Sequence, residues 1–143
     1  MKIIANIYKF LFVVYLLALM LSSTKVLSQC PNGTYVDIII NPDQYPEETS
    51  WAIITMLEDT IATGGPYENI VDYQPQVVQV CIPNGEYIFN ISDLYGDGLA
   101  GSLWGGQDGS YYVLHCEDTI VQPDSANFGF AAFHGFTLQD CAP

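Results

Sequence analysis

The chain has 143 residues, half of them hydrophobic, with 16 Asp or Glu residues against three Lys or Arg residues and a formal net charge of −13 at pH 7. Strong contacts with phosphate groups depend on Lys and Arg, so nucleic acid and an anionic membrane surface are excluded as expected partners. The length suits a single domain with one modest core.

Residues 1–28 have the pattern of a secretory signal peptide. Lys2 and Lys9 precede an apolar run at residues 10–21, and a small-residue end follows at residues 26–28. The apolar run is shorter than the roughly 20 residues that a membrane-spanning helix needs. We therefore expect a secreted, extracellular protein.

The mature chain, residues 29–143, is expected to form one domain. All three basic residues precede it, so it carries 16 carboxylates and no Lys or Arg, hence a formal charge of −16. Repulsion on this scale destabilises a compact state, and a bound divalent cation is the strongest local source of positive charge. Calcium is therefore the expected cofactor, and an acidic surface screened by salt is the alternative explanation.

The mature chain contains short segments rich in Val, Ile, Tyr and Phe, separated by Pro, Gly, Asn and Asp, which is typical of strands. They predict an all-β fold, an antiparallel β-sandwich of jelly-roll-like type. In the third segment, Tyr87, Phe89 and Ile91 alternate with Asn90 and should face the core. The strand segments are TYVDIII (34–40), QVVQVC (76–81), GEYIFNIS (85–92), SYYVLHC (110–116) and FGFAAFHGFTL (128–138).

Residues 45–60 are ambiguous. Pro46 and the two glutamates after it suit the start of a helix, whereas the β-branched Ile53, Ile54 and Thr55 favour a strand. We predict a strand, followed by a turn at TGGP (63–66).

Four cysteines in an exported chain indicate two disulfides. Four cysteines allow three pairings, and we expect Cys30 with Cys141 and Cys81 with Cys116 without excluding the other two.

Two N-glycosylation sequons begin at Asn32 and Asn90, and both asparagines should therefore lie on the surface.

Three segments together carry a resemblance: DQYPEETSW (43–51), VCIPNGEYIFNISDLYGDGLAG (80–101) and GGQDGSYYVL (105–114). They resemble a β-sandwich module of secreted, multidomain proteins, over roughly residues 35–116. The resemblance implies a non-catalytic extracellular module of the kind that accompanies peptidases, adhesins or surface layers. In that module a Cys pair follows Gly-Asp-Gly and another Cys precedes the strand tyrosine, whereas this chain has Ala100, Gly101 and Glu86. Its glycine-rich loop therefore lacks the disulfide bond that those cysteines would provide.

This loop suggests a calcium site. Asp93, Asp97 and Gly98 match positions one, five and six of a calcium-binding loop, although Tyr95 and Trp104 occupy positions that an EF-hand gives to oxygen ligands. Further ligands would come from Glu48, Asp108 and Leu99. In the alternative interpretation, Asp93 and Asp97 only accept backbone hydrogen bonds in turns.

Catalysis is not expected, because His115 and His134 stand in no recognisable nucleophile arrangement. The sequence favours a structural or adhesive component of an extracellular layer, matrix or appendage, which binds a protein or glycan or assembles with itself. The first alternative is a carbohydrate-binding module, and the second is a metal-dependent hydrolase. The candidate sugar-stacking residues are Tyr95, Trp104, Trp51 and Tyr111.

Overall fold

The computed structural model describes residues 30–68 and 73–141, which form eight β-strands and two short 3₁₀ helices. The expected signal peptide, residues 1–28, lies outside the described residues. Within the described part of the chain, no helix is long and apolar enough to cross a membrane. The strands are β1 (Thr34–Asn41), β2 (Thr49–Thr55), β3 (Thr60–Gly64), β4 (Gln76–Ile82), β5 (Gly85–Asp93), β6 (Ser110–His115), β7 (Asp118–Val121) and β8 (Ala131–Leu138).

The strands form two antiparallel sheets of four, in the orders β4-β1-β6-β7 and β3-β2-β5-β8. The predicted antiparallel β-sandwich is confirmed. Two connections stay within one sheet, the one from β2 to β3 and the one from β6 to β7. Each of the other five connections crosses from one sheet to the other. This alternation is the jelly-roll-like feature of the fold.

The core lies between the sheets because every second side chain of β1, β5 and β6 is buried there. In β5 the predicted faces are confirmed, with Asn90 on the outer side. The Phe89 ring stacks on Trp51 with centroids 6.1 Å apart and lies 5.7 Å from the Tyr111 ring. The fully buried aliphatic and aromatic residues include Val36, Ile38, Ile40, Ile53, Ile82, Phe89, Ile91, Leu99 and Val113.

The ambiguous segment contains a strand, as predicted, and a single 3₁₀ turn at Pro46–Glu48 precedes it. Two strands were not predicted from the sequence. β3 includes the first two residues of the TGGP segment, so the expected turn there is partly wrong. β3 is a short edge strand with largely exposed side chains, and β7 is an edge strand of four residues of which only Val121 is buried, so neither has a clear alternation of apolar and polar residues.

The disulfides are Cys30–Cys81 and Cys116–Cys141, each with Cα atoms 5.5 Å apart. The expected pairing of Cys30 with Cys141 and of Cys81 with Cys116 is therefore wrong. The physical reason is strand register, because the β1–β4 ladder sets Tyr35 opposite Cys81 and so brings Cys81 close to the segment that precedes β1. Two disulfides, in contrast, were predicted correctly.

The two ends of the sandwich differ. All four cysteines lie at the end where β1 and β5 begin, which we call the disulfide end. Both strands run from there to the opposite end, which we call the loop end. The segments 42–48, 94–109 and 122–130 connect strands at the loop end.

Candidate metal centre

Glu48 and Asp93 meet at the loop end because two paired strands place them side by side. Glu48 ends the 3₁₀ helix directly before β2, and Asp93 is the last residue of β5. The β2–β5 ladder pairs Thr49 with Asp93, and the backbone N–H of Leu94 donates a 3.1 Å hydrogen bond to the Glu48 carbonyl. Strand register therefore joins two carboxylates that are distant in the sequence.

Asp97 reaches the same place because Asp93 organises the turn after β5. Asp93 Oδ1 accepts backbone hydrogen bonds from Tyr95 at 3.1 Å, from Gly96, and from Asp97 at 3.1 Å. Gly96 has a φ of 88°, in the left-handed region that favours glycine. Asp93 thus makes the turn contacts of the alternative interpretation, but it makes them with only one of its two oxygens.

Glu48, Asp93 and Asp97 form what we call the acidic cluster, in which one carboxylate oxygen of each lies within 4.8 Å of the others. Asp93 is only 5% exposed, and its Oδ2 is buried without a hydrogen-bond partner. The described residues contain no Lys or Arg that could neutralise the cluster. A buried, unpartnered carboxylate oxygen among like charges is unfavourable unless a cation binds beside it or a carboxyl group of the cluster is protonated.

Burial and the neighbouring charges together affect the protonation of Glu48. Desolvation, together with the charges of Asp93 and Asp97, raises the Glu48 pKa from 4.5 to about 7. The cluster also affects Asp43, because burial and the charge of Asp97 raise the Asp43 pKa. A hydrogen bond from the Tyr45 N–H to Asp43 Oδ1 opposes this increase. Asp43 was missed in the sequence, although it begins the DQYPEETSW segment that contains Glu48.

Two other predicted ligands lie outside the acidic cluster. Asp108 Oδ1 accepts a 2.9 Å hydrogen bond from the Ser102 N–H, and hydrogen bonds from Ser102 lower the Asp108 pKa. The Leu99 carbonyl accepts a 2.8 Å hydrogen bond from the Gly109 N–H. Both groups thus stabilise the loop itself, and among the predicted carboxylates the structure brings together Glu48, Asp93 and Asp97.

A groove of about 520 Å³ opens beside the acidic cluster, and we call it the aromatic groove. Trp104 and Tyr95 are 66% and 71% exposed there. The indole N–H of Trp104 donates a hydrogen bond to Asp97 Oδ2, which orients the indole ring beside the cluster. The groove is lined by Tyr45, Glu47, Glu48, Tyr95, Gly96, Asp97 and Trp104.

The four aromatic residues considered as sugar platforms separate into two groups. Tyr95 and Trp104 are exposed on the groove, whereas Trp51 and Tyr111 are 3% and 1% exposed and belong to the core. The Trp51 indole donates a 2.7 Å hydrogen bond to the Tyr67 hydroxyl, so its polar atom is also satisfied inside the fold. Trp51 and Tyr111 are therefore not available for stacking on a ligand.

Both sequon asparagines have surface positions. Asn32 is exposed in the turn before β1, and Asn90 is half-buried on the outer face of β5. The Ser92 hydroxyl donates a 3.4 Å hydrogen bond to Asn90 Oδ1. Glycan attachment at either site stays a prediction.

A second group of candidate ligand atoms, from His115, Cys116 and Cys141, is explained by the fold. The two cysteines form a disulfide and therefore supply no thiolate. His115 Nε2 lies 2.8 Å from the Gln139 carbonyl, and His134 Nε2 lies 2.7 Å from the Tyr111 hydroxyl. Both histidines thus make contacts that join parts of the fold.

No protein-family model matches this chain, and no curated protein or solved structure is significantly similar to it. The chemistry of the acidic cluster is therefore the guide to function. Three carboxylates that converge without a basic partner can hold a hard divalent cation.

Proposed function

We propose that the chain is a secreted, non-catalytic β-sandwich module that binds calcium at the acidic cluster. In this proposal it serves as a structural or adhesive component of an extracellular layer, matrix or appendage. The observation that carries the proposal is the buried, unpartnered Oδ2 of Asp93, in a cluster where one carboxylate oxygen each of Glu48, Asp93 and Asp97 lies within 4.8 Å of the others. Two disulfides are compatible with an oxidising extracellular environment.

Calcium suits this donor set better than other common metal ions. Zinc prefers nitrogen and sulfur ligands, whereas the acidic cluster supplies only carboxylate oxygens. Magnesium requires near-ideal octahedral geometry, whereas calcium accepts flexible arrangements of carboxylates, carbonyls and water. A calcium ion here would give Asp93 Oδ2 a partner and favour the ionised form of Glu48, whose pKa is raised by burial and by the neighbouring carboxylates.

Apolar side chains at the loop end support a role in association. Leu94, Leu103 and Phe130 are 66%, 60% and 69% exposed, and all three lie in loop-end segments. Large exposed apolar side chains that gather in one region are candidates for an interaction site. The proposal therefore assigns both metal binding and partner binding to the loop end.

The proposal is tested by thermal unfolding in EDTA and in calcium. Calcium at 100 times its Kd should raise the free energy of unfolding by about 2.7 kcal/mol, or several degrees of Tm. Asp97→Asn removes a cluster charge and should lose most of this gain. Asp118→Asn is the matched control, because Asp118 is exposed on β7 and pairs with His115 at the disulfide end.

Generic screening gives a different result. Sodium chloride at matched ionic strength would then stabilise the protein as much as calcium does, and both variants would respond equally. Either observation contradicts the proposed site.

A further inference from the structure

The acidic cluster alone leaves a calcium ion short of ligands. Asp93 can supply only Oδ2, because Oδ1 accepts three backbone hydrogen bonds, and Asp97 Oδ2 already accepts the Trp104 indole N–H. Counting both oxygens of Glu48, the three carboxylates have four oxygens without a protein hydrogen bond. Calcium takes about six to eight oxygens, so at least two positions remain for oxygens from outside the cluster.

These remaining positions are accessible from the aromatic groove. Glu48 and Asp97 line the groove and Asp93 does not, so an ion held by the cluster would face the groove on the side of Glu48 and Asp97. The groove volume of about 520 Å³ is within the usual range for small-ligand sites. An outside ligand in the groove could therefore complete the coordination of the ion.

Two exposed rings define the shape of a suitable ligand. Trp104 and Tyr95 present their rings in the same groove, and the hydrogen bond to Asp97 holds the indole next to a metal ligand. Aromatic faces carry partial negative charge and attract the polarised C–H groups of a flat, partly apolar surface. A sugar ring has C–H groups on its face and hydroxyl oxygens at its edge, so it matches the rings and the ion together.

The charge of the groove argues against an anionic ligand. Glu47, Glu48 and Asp97 line it, and the described chain has no Lys or Arg to receive a phosphate, a sulfate or a sugar carboxylate. Neutral hydroxyl groups can coordinate calcium through oxygen and donate their hydrogens to these carboxylates.

We infer that the aromatic groove binds a neutral saccharide, with hydroxyl oxygens of the sugar coordinating the calcium ion and a sugar face stacked on Trp104 or Tyr95. This inference rests on the proposed calcium site and specifies its partner as a glycan. The acidic cluster holds the ion, and the two rings hold the ligand against it.

The test uses an array of immobilised neutral oligosaccharides built from mannose, fucose, galactose, glucose and N-acetylglucosamine, with sialylated and sulfated versions and a polyamine alongside. We expect signal on neutral saccharides, in calcium and not in EDTA. Trp104→Ala should weaken binding about tenfold, and Trp104→Phe should retain part of it because a ring remains. Phe133→Ala is the control, since Phe133 is an aromatic residue that is 64% exposed on β8 and does not line the groove.

Calcium calorimetry on the same samples separates this inference from the proposed function. Calcium binding without a neutral-saccharide signal overturns the saccharide inference and leaves the proposed calcium module intact. If neither calcium nor neutral saccharides bind, both the inference and the proposed function are overturned. Saccharide binding that persists in EDTA overturns the inference that calcium coordinates the sugar hydroxyl groups. Binding confined to the charged saccharides or to the polyamine shows that the groove selects charge, and it overturns the inference as well.

Discussion

The backbone N–H of Asp97 donates a 3.1 Å hydrogen bond to Asp93 Oδ1, and the side chains of the same two residues share the acidic cluster. The two oxygens of Asp93 therefore have separate roles. Oδ1 holds the turn that positions Asp97, and Oδ2 remains buried without a partner. Substitutions that change one oxygen at a time can distinguish turn formation from metal binding.

Asp93→Asn should keep the turn and lose the calcium response. The amide oxygen can accept the backbone hydrogen bonds of Oδ1, and the amide N–H₂ can donate to the carboxylates of Glu48 and Asp97. In EDTA the variant should therefore melt at or above the wild-type Tm, and calcium should add little. Asp93→Ala, which cannot cap the turn, should lower the free energy of unfolding by about 1 to 2 kcal/mol. An Asn variant with the full calcium gain would contradict the assigned role of Oδ2.

The stability of the metal-free protein should fall as the pH rises from about 5 to above 7. Glu48 has a pKa of about 7 in the folded protein against 4.5 in its ordinary state, so the folded state binds the proton more tightly in this interval. Its stabilising contribution is complete below pH 4.5 and disappears as the pH passes 7. Glu48→Gln should flatten the Tm profile measured in EDTA.

Calcium should reverse this trend, because the ion requires the ionised carboxylates. The Tm gain from calcium should therefore be larger at pH 7.5 than at pH 5.5. A metal-free Tm that increases with pH over this range, for a protein with an intact fold, would be inconsistent with repulsion in the acidic cluster.

Removing the Cys116–Cys141 bridge should destabilise the fold without changing the calcium gain. A double substitution of both cysteines by serine should lower the free energy of unfolding by about 2 to 5 kcal/mol. The calcium-induced shift should persist because the bridge lies at the disulfide end, away from the acidic cluster.

Peptide mapping without reduction should recover Cys30 with Cys81, and a Cys30–Cys141 peptide would refute the pairing.

Gly64→Ala should destabilise the core against Trp51. A Cβ at Gly64 would lie 2.5 Å from two atoms of the indole ring, so the ring or the strand must shift. We expect a loss of about 1 to 3 kcal/mol in thermal unfolding. Gly135→Ala on β8 is the matched control, since no other atom lies within 4 Å of its Cβ position, and it should have little effect. Equal effects of the two substitutions would argue against tight packing around Trp51.

The sequence predicts the sandwich well where one strand face is buried and the other is exposed. β1 and β5 alternate clearly between the two, so their positions and faces follow from the residues alone. β3 and β7 lie at sheet edges, where β3 has mostly exposed side chains and β7 has only four residues, so their sequences carry little burial signal. Disulfide pairing depends on register between distant strands, which local patterns do not contain.

The candidate site was predictable to the extent that its residues are linked by local geometry. Asp93 and Asp97 belong to one turn, and their spacing identified them. Asp108 was included as a further ligand from outside that spacing, yet its Oδ1 accepts a hydrogen bond from Ser102. Asp43 was missed because its link to the cluster depends on the approach of separate segments, which becomes visible only in three dimensions.

The separation of the two ends of the sandwich has a mechanical consequence. Thr34 Oγ1 lies 3.8 Å from Cys141 Sγ, so both margins of the described chain meet at the disulfide end. The eight residues of β1 span about 26 Å from there towards the groove. A pulling force between a ligand in the groove and an attachment near Cys30 or Cys141 would run along the strands. Because the ladder hydrogen bonds lie across that direction, they would bear the load together in shear rather than open one after another.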